Sequence, residues 1–264
     1  MSEEPAAIEG ARAYEALHVP ALFGQWASPV LDAAGVKPGD AVVDVACGTG
    51  VLARHALNRV GSSGRVVGLD VGAGMLAVAA DIEPDIEWIE GNAGDLPFDD
   101  AEFDAVVSQF GLMFFPNRAG AISEMLRCLR SGGHAVVAVW DSLERSGPYQ
   151  ITVDLLQRRA GTAAADALRA PFVLGDISEL SALFAGAGAT EVSIDTQVGT
   201  ARFPSVRTMF EADLRGWLPI MGVDLDEQLI GELLIESEEL LAGYVVESGE
   251  MVFPAPAHIV TAAA

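Results

Sequence analysis

Residues 42–52, Val-Val-Asp-Val-Ala-Cys-Gly-Thr-Gly-Val-Leu, run from an apolar stretch through two closely spaced glycines into a segment of helical character. That order describes a buried strand, a tight turn and the start of a helix. Gly48 and Gly50 lack β-carbons where a ligand would approach the backbone. The first amides of a helix carry partial positive charge towards such a ligand. Asp70 closes the next apolar run, and a carboxylate in that place can accept hydrogen bonds from both hydroxyls of a ribose. The chemistry on offer is recognition of an adenosine.

The loop alone leaves two kinds of ligand open, because Gly48-x-Gly50-x-x-Ala53 also satisfies the loose dinucleotide pattern. Asp44, inside the strand, separates them. A carboxylate beside the pyrophosphate of a dinucleotide is unfavourable. S-adenosylmethionine instead brings an α-ammonium group, which Asp44 would balance.

These residues need an alternating α/β framework to hold them. Short β-rich runs occupy 41–46, 65–70, 86–90, 103–108 and 134–140, with helical patterns at 51–60, 74–81 and 118–129 between them. The glycines at Arg130-Ser131-Gly132-Gly133 are expected to stop the last of these helices. Two helices precede the first strand, 7–18 and 23–34, with a break expected at Pro20. Beyond Trp140, helical patterns cover 148–161, 177–186, 205–221 and 225–246. Strands are expected at 191–198 and 251–261, the latter carrying Pro254 and Pro256 and therefore bulged or at an edge. The expected organisation is an N-terminal helical cap (1–36), an α/β core (37–200), a helical insert over an acceptor site (201–248) and a final core strand (249–264).

The whole chain narrows the classes further. With 264 residues, half of them apolar, it can bury a sizeable core. Asp and Glu outnumber Lys and Arg by 38 to 15, a net charge of −23. That field repels phosphate backbones and anionic lipid surfaces, so neither nucleic acid nor membrane is an expected partner. Cys47 and Cys128 make no disulfide framework and no paired metal motif. Met1-Ser2-Glu3-Glu4-Pro5 is acidic where a secretory signal is basic, and a cytoplasmic location is expected.

Asp44-Val45-Ala46-Cys47-Gly48-Thr49-Gly50 resembles the signature loop of class I S-adenosylmethionine-dependent methyltransferases. The resemblance continues through Gly68-Leu69-Asp70-Val71-Gly72-Ala73-Gly74-Met75-Leu76 and Gly91-Asn92-Ala93-Gly94-Asp95-Leu96-Pro97-Phe98, then Phe103-Asp104-Ala105-Val106 and Leu129-Arg130-Ser131-Gly132-Gly133. It covers roughly residues 40–140 and is similar in style to the small-molecule branch that includes ubiquinone and menaquinone C-methyltransferases. It implies a Rossmann-like seven-stranded, mostly parallel sheet with helices on both faces, S-adenosyl-L-methionine as cofactor, and a small, hydrophobic methyl acceptor.

By the same resemblance, Ala46, Gly48 and Gly50 meet the methionine portion, and Asp70 the ribose. Val71 and Met75 pack on the adenine. Asn92 stands where the family usually carries Asp, and its amide oxygen can accept the same bond from the adenine amino group. Ala93 offers its backbone N–H to the ring, and Gln109 touches the methionine end. Tyr14, Phe23 and Trp26 lie in helices that commonly cap the cofactor. Phe23, Phe110, Met113 and Trp217 are candidates to line the acceptor pocket. Phe114 and Phe115 share that stretch.

No general base stands out among His18, His55, His134 and His258, and no cluster has the spacing of metal ligands, so no catalytic metal is expected. Two other readings stay open: an NAD-dependent oxidoreductase, and a non-catalytic cofactor-binding partner protein. A final antiparallel strand at 251–261 would favour the methyltransferase. Asp70→Ala is expected to weaken cofactor binding strongly in calorimetric titration; unchanged affinity would remove Asp70 from the site.

Overall fold

The structure, a computed structural model, describes residues 3–264, so Met1 and Ser2 of the acidic terminus lie outside it. Seven strands form one sheet: β1 (Ala41–Val45), β2 (Arg65–Asp70), β3 (Glu87–Glu90), β4 (Phe103–Gln109), β5 (Leu129–Trp140), β6 (Glu191–Phe203) and β7 (Met251–Ala263). Their order is β3-β2-β1-β4-β5-β7-β6. The first five are parallel to one another. β7 runs antiparallel between β5 and β6, as the methyltransferase reading required. Val42, Val43 and Val45 of β1 and the run from Ala135 to Val139 of β5 are fully buried, as strands covered on both faces must be.

The helices are α1 (Glu3–His18), α2 (Ala27–Ala33), α3 (Val51–Val60), α4 (Ala73–Ile82), α5 (Arg118–Arg127), α6 (Gly147–Arg159), α7 (Thr162–Arg169), α8 (Ile177–Gly186), α9 (Val206–Ala212), α10 (Leu218–Ile220) and α11 (Glu227–Leu240). The α-helix ends at His18, ahead of Pro20 as expected, but the chain does not leave the helical path there: His18 keeps right-handed helical angles and Pro20 sits in a π-helical segment, Val19–Phe23, that continues it.

Two other local expectations are corrected. α5 ends at Cys128 in an ordinary right-handed conformation. The glycines after it belong to β5, where the register with β4 slips between Phe103 and Ala105 and Gly132 takes φ +83°. β7 is neither bulged nor at the sheet edge, and its pairing with β6 is continuous through both prolines. β5 reaches only as far as Ala257 on β7's other side, and the Asp141 amide donates to Pro256 O there. Pro254 and Pro256 thus direct their missing donors past the end of β5.

Close approaches bind the N-terminal helices to the carboxyl edge of the sheet. A β-carbon on Gly74 would lie 2.8 Å from the backbone of Ala7, so this glycine lets α1 lie on α4. At the far side, Gln25 acts as an extra rung on the free edge of β6, accepting from Thr200 N at 2.8 Å and donating to Thr200 O at 3.1 Å. Trp88 of β3 lies over both Gly50 and Gly68, where a β-carbon on either would collide with its ring, and its indole donates to Glu83 O. Gly50 also has φ +84°. Gly50→Ala is expected to cost about 2–4 kcal/mol in urea denaturation, from the left-handed backbone plus overpacking. A loss below about 0.5 kcal/mol, the scale of an ordinary surface substitution, would show that Trp88 does not lock the loop.

Candidate functional site

The strand order reverses between β1 and β4, and in open α/β sheets ligands bind in the crevice beyond such a point. Backbone strain collects there. Ala46, just after β1, has φ 60°, and Phe110, just after β4, has φ 57°. Left-handed conformations are unusual for residues with a side chain and cluster at functional sites. Gly48 follows at φ 55°, and apart from its own residue and its chain neighbours no described atom lies within 4 Å of where its β-carbon would stand. Gly111 closes the crevice from the other side, where an added β-carbon would lie 2.7 Å from that of Ala46. Of the two loop glycines, then, Gly48 leaves space open for a ligand, whereas Gly50 leaves it for Trp88.

Two carboxylates hold this turn. Asp70 Oδ2 accepts from Gly48 N and its Oδ1 from Gly72 N, both at 2.8 Å. Each oxygen keeps a free lone pair, which suits two ribose hydroxyls. Asp44, paired in register with Gly68 and Val107, is 1% exposed. Its Oδ2 accepts from Ala53 N in the first turn of α3 at 3.1 Å, and its Oδ1 is buried without a partner among the described residues. Burial drives its carboxyl well above the usual range, opposed by the Ala53 amide and reinforced by Asp70. On β4, Gln109 donates to Phe23 O at 3.1 Å, while its Oε1 is likewise buried and unpartnered.

The other positions expected at the cofactor take these places. Val71 (69% exposed) and the exposed Asn92 follow β2 and β3, with Met75 half-buried on α4 and Ala93 buried. Asn92 Oδ1 accepts from Gly94 N at 2.8 Å, leaving one lone pair. Tyr14 stacks near His18 (5.6 Å) and Phe23 (5.4 Å). Burial first, then Glu15, Asp70 and Asp44, raise its phenol, which places it beside the carboxylates of the crevice. Sequence reasoning missed Glu15, which accepts from Thr49 Oγ1 in the glycine loop and, at 2.7 Å, from Arg54. A cation in the first turn of a helix opposes its dipole, so Arg54 was the available signal that an acid must sit opposite.

The residues expected to line an acceptor pocket fall into two groups. Phe110 stacks on Trp140 at 3.9 Å, with Phe23 at 5.5 Å from Phe110 and Trp26 edge-on at 6.0 Å. Trp26, expected at the cofactor, is 2% exposed and packs into this cluster, its Nε1 unpartnered. Met113 and Trp217 lie elsewhere. Trp217 donates to Ala167 O at 2.8 Å and its ring is 5.1 Å from that of Phe114, and Phe114 and Met113 line an open cleft of about 660 Å³ together with Arg118 and Met221.

Two histidines are informative. His258 is held by Thr196 Oγ1 (2.8 Å), Gly175 O (3.1 Å) and Asp141 (3.3 Å), a satisfied interior residue. His18 has an unpartnered Nδ1, and burial lowers it to about 4. Cys47 and Cys128 are free and buried, and burial raises both thiols.

A doubly wound sheet of this order, with its glycine turn and acidic pair at the reversal point, defines a Rossmann-like α/β fold. Residues 43–137 match the family described as "Methyltransferase domain". The chain is 34% identical to demethylmenaquinone methyltransferase of Staphylococcus carnosus over 192 residues, 66% of this chain and 78% of that one. It is 41% identical to the chloroplastic 2-phytyl-1,4-beta-naphthoquinone methyltransferase of Arabidopsis thaliana over 129 residues, 46% of this chain and 49% of that one. It spans about half the length of several curated relatives it matches (49%, 54% and 52%). The structure of Haemonchus contortus phosphoethanolamine N-methyltransferase 2 in complex with S-adenosyl-L-methionine shares the fold, with a TM-score of 0.59 at 15% identity, covering 97% of this chain and 57% of that one. The chain belongs to the S-adenosylmethionine-dependent methyltransferases.

Because folding raises the Asp44 carboxyl, the unfolded chain releases this proton first, and stability falls as pH climbs from the unfolded value of about 4 towards the folded one. Asp44→Asn is therefore expected to raise Tm at pH 7.5, with the gap closing near pH 4, and to weaken S-adenosylhomocysteine binding at least tenfold. A Tm difference that does not change with pH would show that this carboxyl carries no such penalty.

Proposed function

We propose that this protein transfers a methyl group from S-adenosyl-L-methionine to a small, planar, hydrophobic acceptor with a hydroxylated ring, of which a quinol is representative. The observation that carries the donor is the pair of buried, unpartnered acceptors, Asp44 Oδ1 and Gln109 Oε1, at the ends of adjacent strands. A buried acceptor without a donor is costly, and the α-ammonium of the donor supplies what both lack. In this reading Asp70 receives the ribose, Val71, Met75, Asn92 and Ala93 surround the adenine, and Ala46 and Gly48 face the methionine portion. The sulfonium supplies an already activated methyl group, which leaves the protein to orient the acceptor and exclude water. Closure by Tyr14, Glu15 and Phe23 suits the exclusion of water.

The acceptor class rests on the aromatic cluster of Phe23, Phe110 and Trp140 and on the names of the relatives. Two free, buried cysteines favour a reducing compartment, the cytoplasm. No described helix is long and apolar enough to cross a membrane.

Calorimetric titration with S-adenosylhomocysteine, with NAD in parallel, tests the donor. Micromolar binding of the first and none of the second is expected. Binding of NAD alone would turn the chain into a dinucleotide-binding protein and reassign Asp70 to its ribose.

A further inference from the structure

α5 begins with a cation. Arg118 is its first residue, where a positive side chain opposes the dipole of the helix. α3 meets the same difficulty at Arg54 and answers it with Glu15. Among the described residues no carboxylate answers Arg118, although every other arginine of the chain pairs with one. Acids are abundant in a protein of net charge −23, so the exception is a property of this one place.

That place is the open cleft of about 660 Å³, a volume that suits a small molecule. Its walls are apolar: Met113, Phe114 and Phe115 from the segment after β4, Leu183 of α8, and Met221 just after α10. Phe114 and Met221 are exposed, and Trp217, tied to Ala167 O, backs the Phe114 ring at 5.1 Å. Among the described residues the lining holds no carboxylate, and Arg118 is its one charged side chain. The Arg118 Nη2 donates to Met113 O at 2.7 Å, and its Nε is buried with no partner among the described residues. A neutral carbonyl thus fixes the guanidinium in place while its charge stays unpaired. Phe115 also reaches the cofactor crevice, its ring 3.5 Å from where a β-carbon on Gly111 would stand. Cleft and crevice are therefore neighbours that share one ring.

We propose that this cleft binds a small apolar carboxylate, an aryl or alkyl acid. Its carboxylate pairs with the Arg118 guanidinium, and its apolar body lies along Met113, Phe114 and Met221. A guanidinium matches a carboxylate in shape as well as in charge, and an anion at the head of α5 also relieves the opposed dipole. The acidic field of the whole protein repels anions at long range. The apolar body is therefore essential, and a bare anion gains too little to stay. The site stands apart from the methyl-transfer reading, because none of these residues is assigned to the methyl donor.

The test titrates the full chain calorimetrically at pH 7.5 with 1-naphthoate, its neutral counterpart 1-naphthamide, and acetate. In the wild type 1-naphthoate is expected to bind at least about tenfold more tightly than 1-naphthamide, the scale of a hydrogen bond to a charged group. Acetate is expected to give no measurable heat, and S-adenosylhomocysteine not to displace 1-naphthoate. Arg118→Met removes the preference for the anion, and a cooperative melt shows that the variant folds. Met221→Glu keeps Arg118 and its bond to Met113 O but sets a carboxylate on the exposed rim. It is expected to cut the preference about fivefold, and it decides the matter should Arg118→Met not melt cooperatively. No binding of 1-naphthoate, equal affinity for the two naphthalenes in the wild type, an unchanged preference in the folded variant, or displacement by S-adenosylhomocysteine would each overturn the site. Failure of the wild type to bind S-adenosylhomocysteine would instead bear on the methyl-transfer reading alone.

Discussion

How the chain leaves β1 decides everything at the carboxyl edge of the sheet. Within five residues it turns through three left-handed positions, Ala46, Gly48 and Gly50, and the turn survives because Asp70 grips the amide of Gly48 while Asp44 grips that of Ala53. Trp88 presses the far glycine from outside. A left-handed residue with a side chain costs roughly 1–2 kcal/mol, and Ala46 and Phe110 both bear that cost at the one crevice where the sheet reverses direction. The strain is offset by carboxylate–amide bonds rather than by relaxation.

The same edge is deliberately under-satisfied. Asp44 and Gln109 keep buried oxygens without donors among the described residues, each of which stabilises the fold less than an apolar replacement of equal shape would. What such oxygens gain from is a ligand bringing positive charge or acidic hydrogens. The net charge of −23 acts in the same direction at long range, drawing in a cation and lengthening its stay near the mouth. The acidity that sequence composition offered chiefly as an argument against nucleic acid therefore also suits a sulfonium.

The parallel half of the sheet and its glycine turn were readable because buried parallel strands print as unbroken apolar runs and their turns as glycine. β6 was harder: its exposed edge alternates with polar residues, so 191–198 could be read while the strand continues to Phe203. The Ala-rich α7 went unread because Gly161 interrupts the pattern before it. Helix-stopping glycines looked like a cap at 132–133 because sequence does not distinguish a helix end from a slipped strand register. At the candidate site, Asp44 and Asp70 were singled out by their places around the glycine turn, whereas Gln109 was named through the family resemblance alone. Glu15 was not singled out, because its partners Thr49 and Arg54 are 34 and 39 residues away.

The contact between Ala46 and Gly111 has a consequence for how such a site can vary. The methyl of Ala46 fills the space that a side chain at Gly111 would need. The two positions share room for a single methyl group across the crevice between β1 and β4. A lineage that acquires alanine at the second must first give up the one at the first, and the intermediate carrying both would pry the two strand ends apart. Drift at this crevice is therefore a paired exchange rather than two independent substitutions, and the identity of either residue foretells the other.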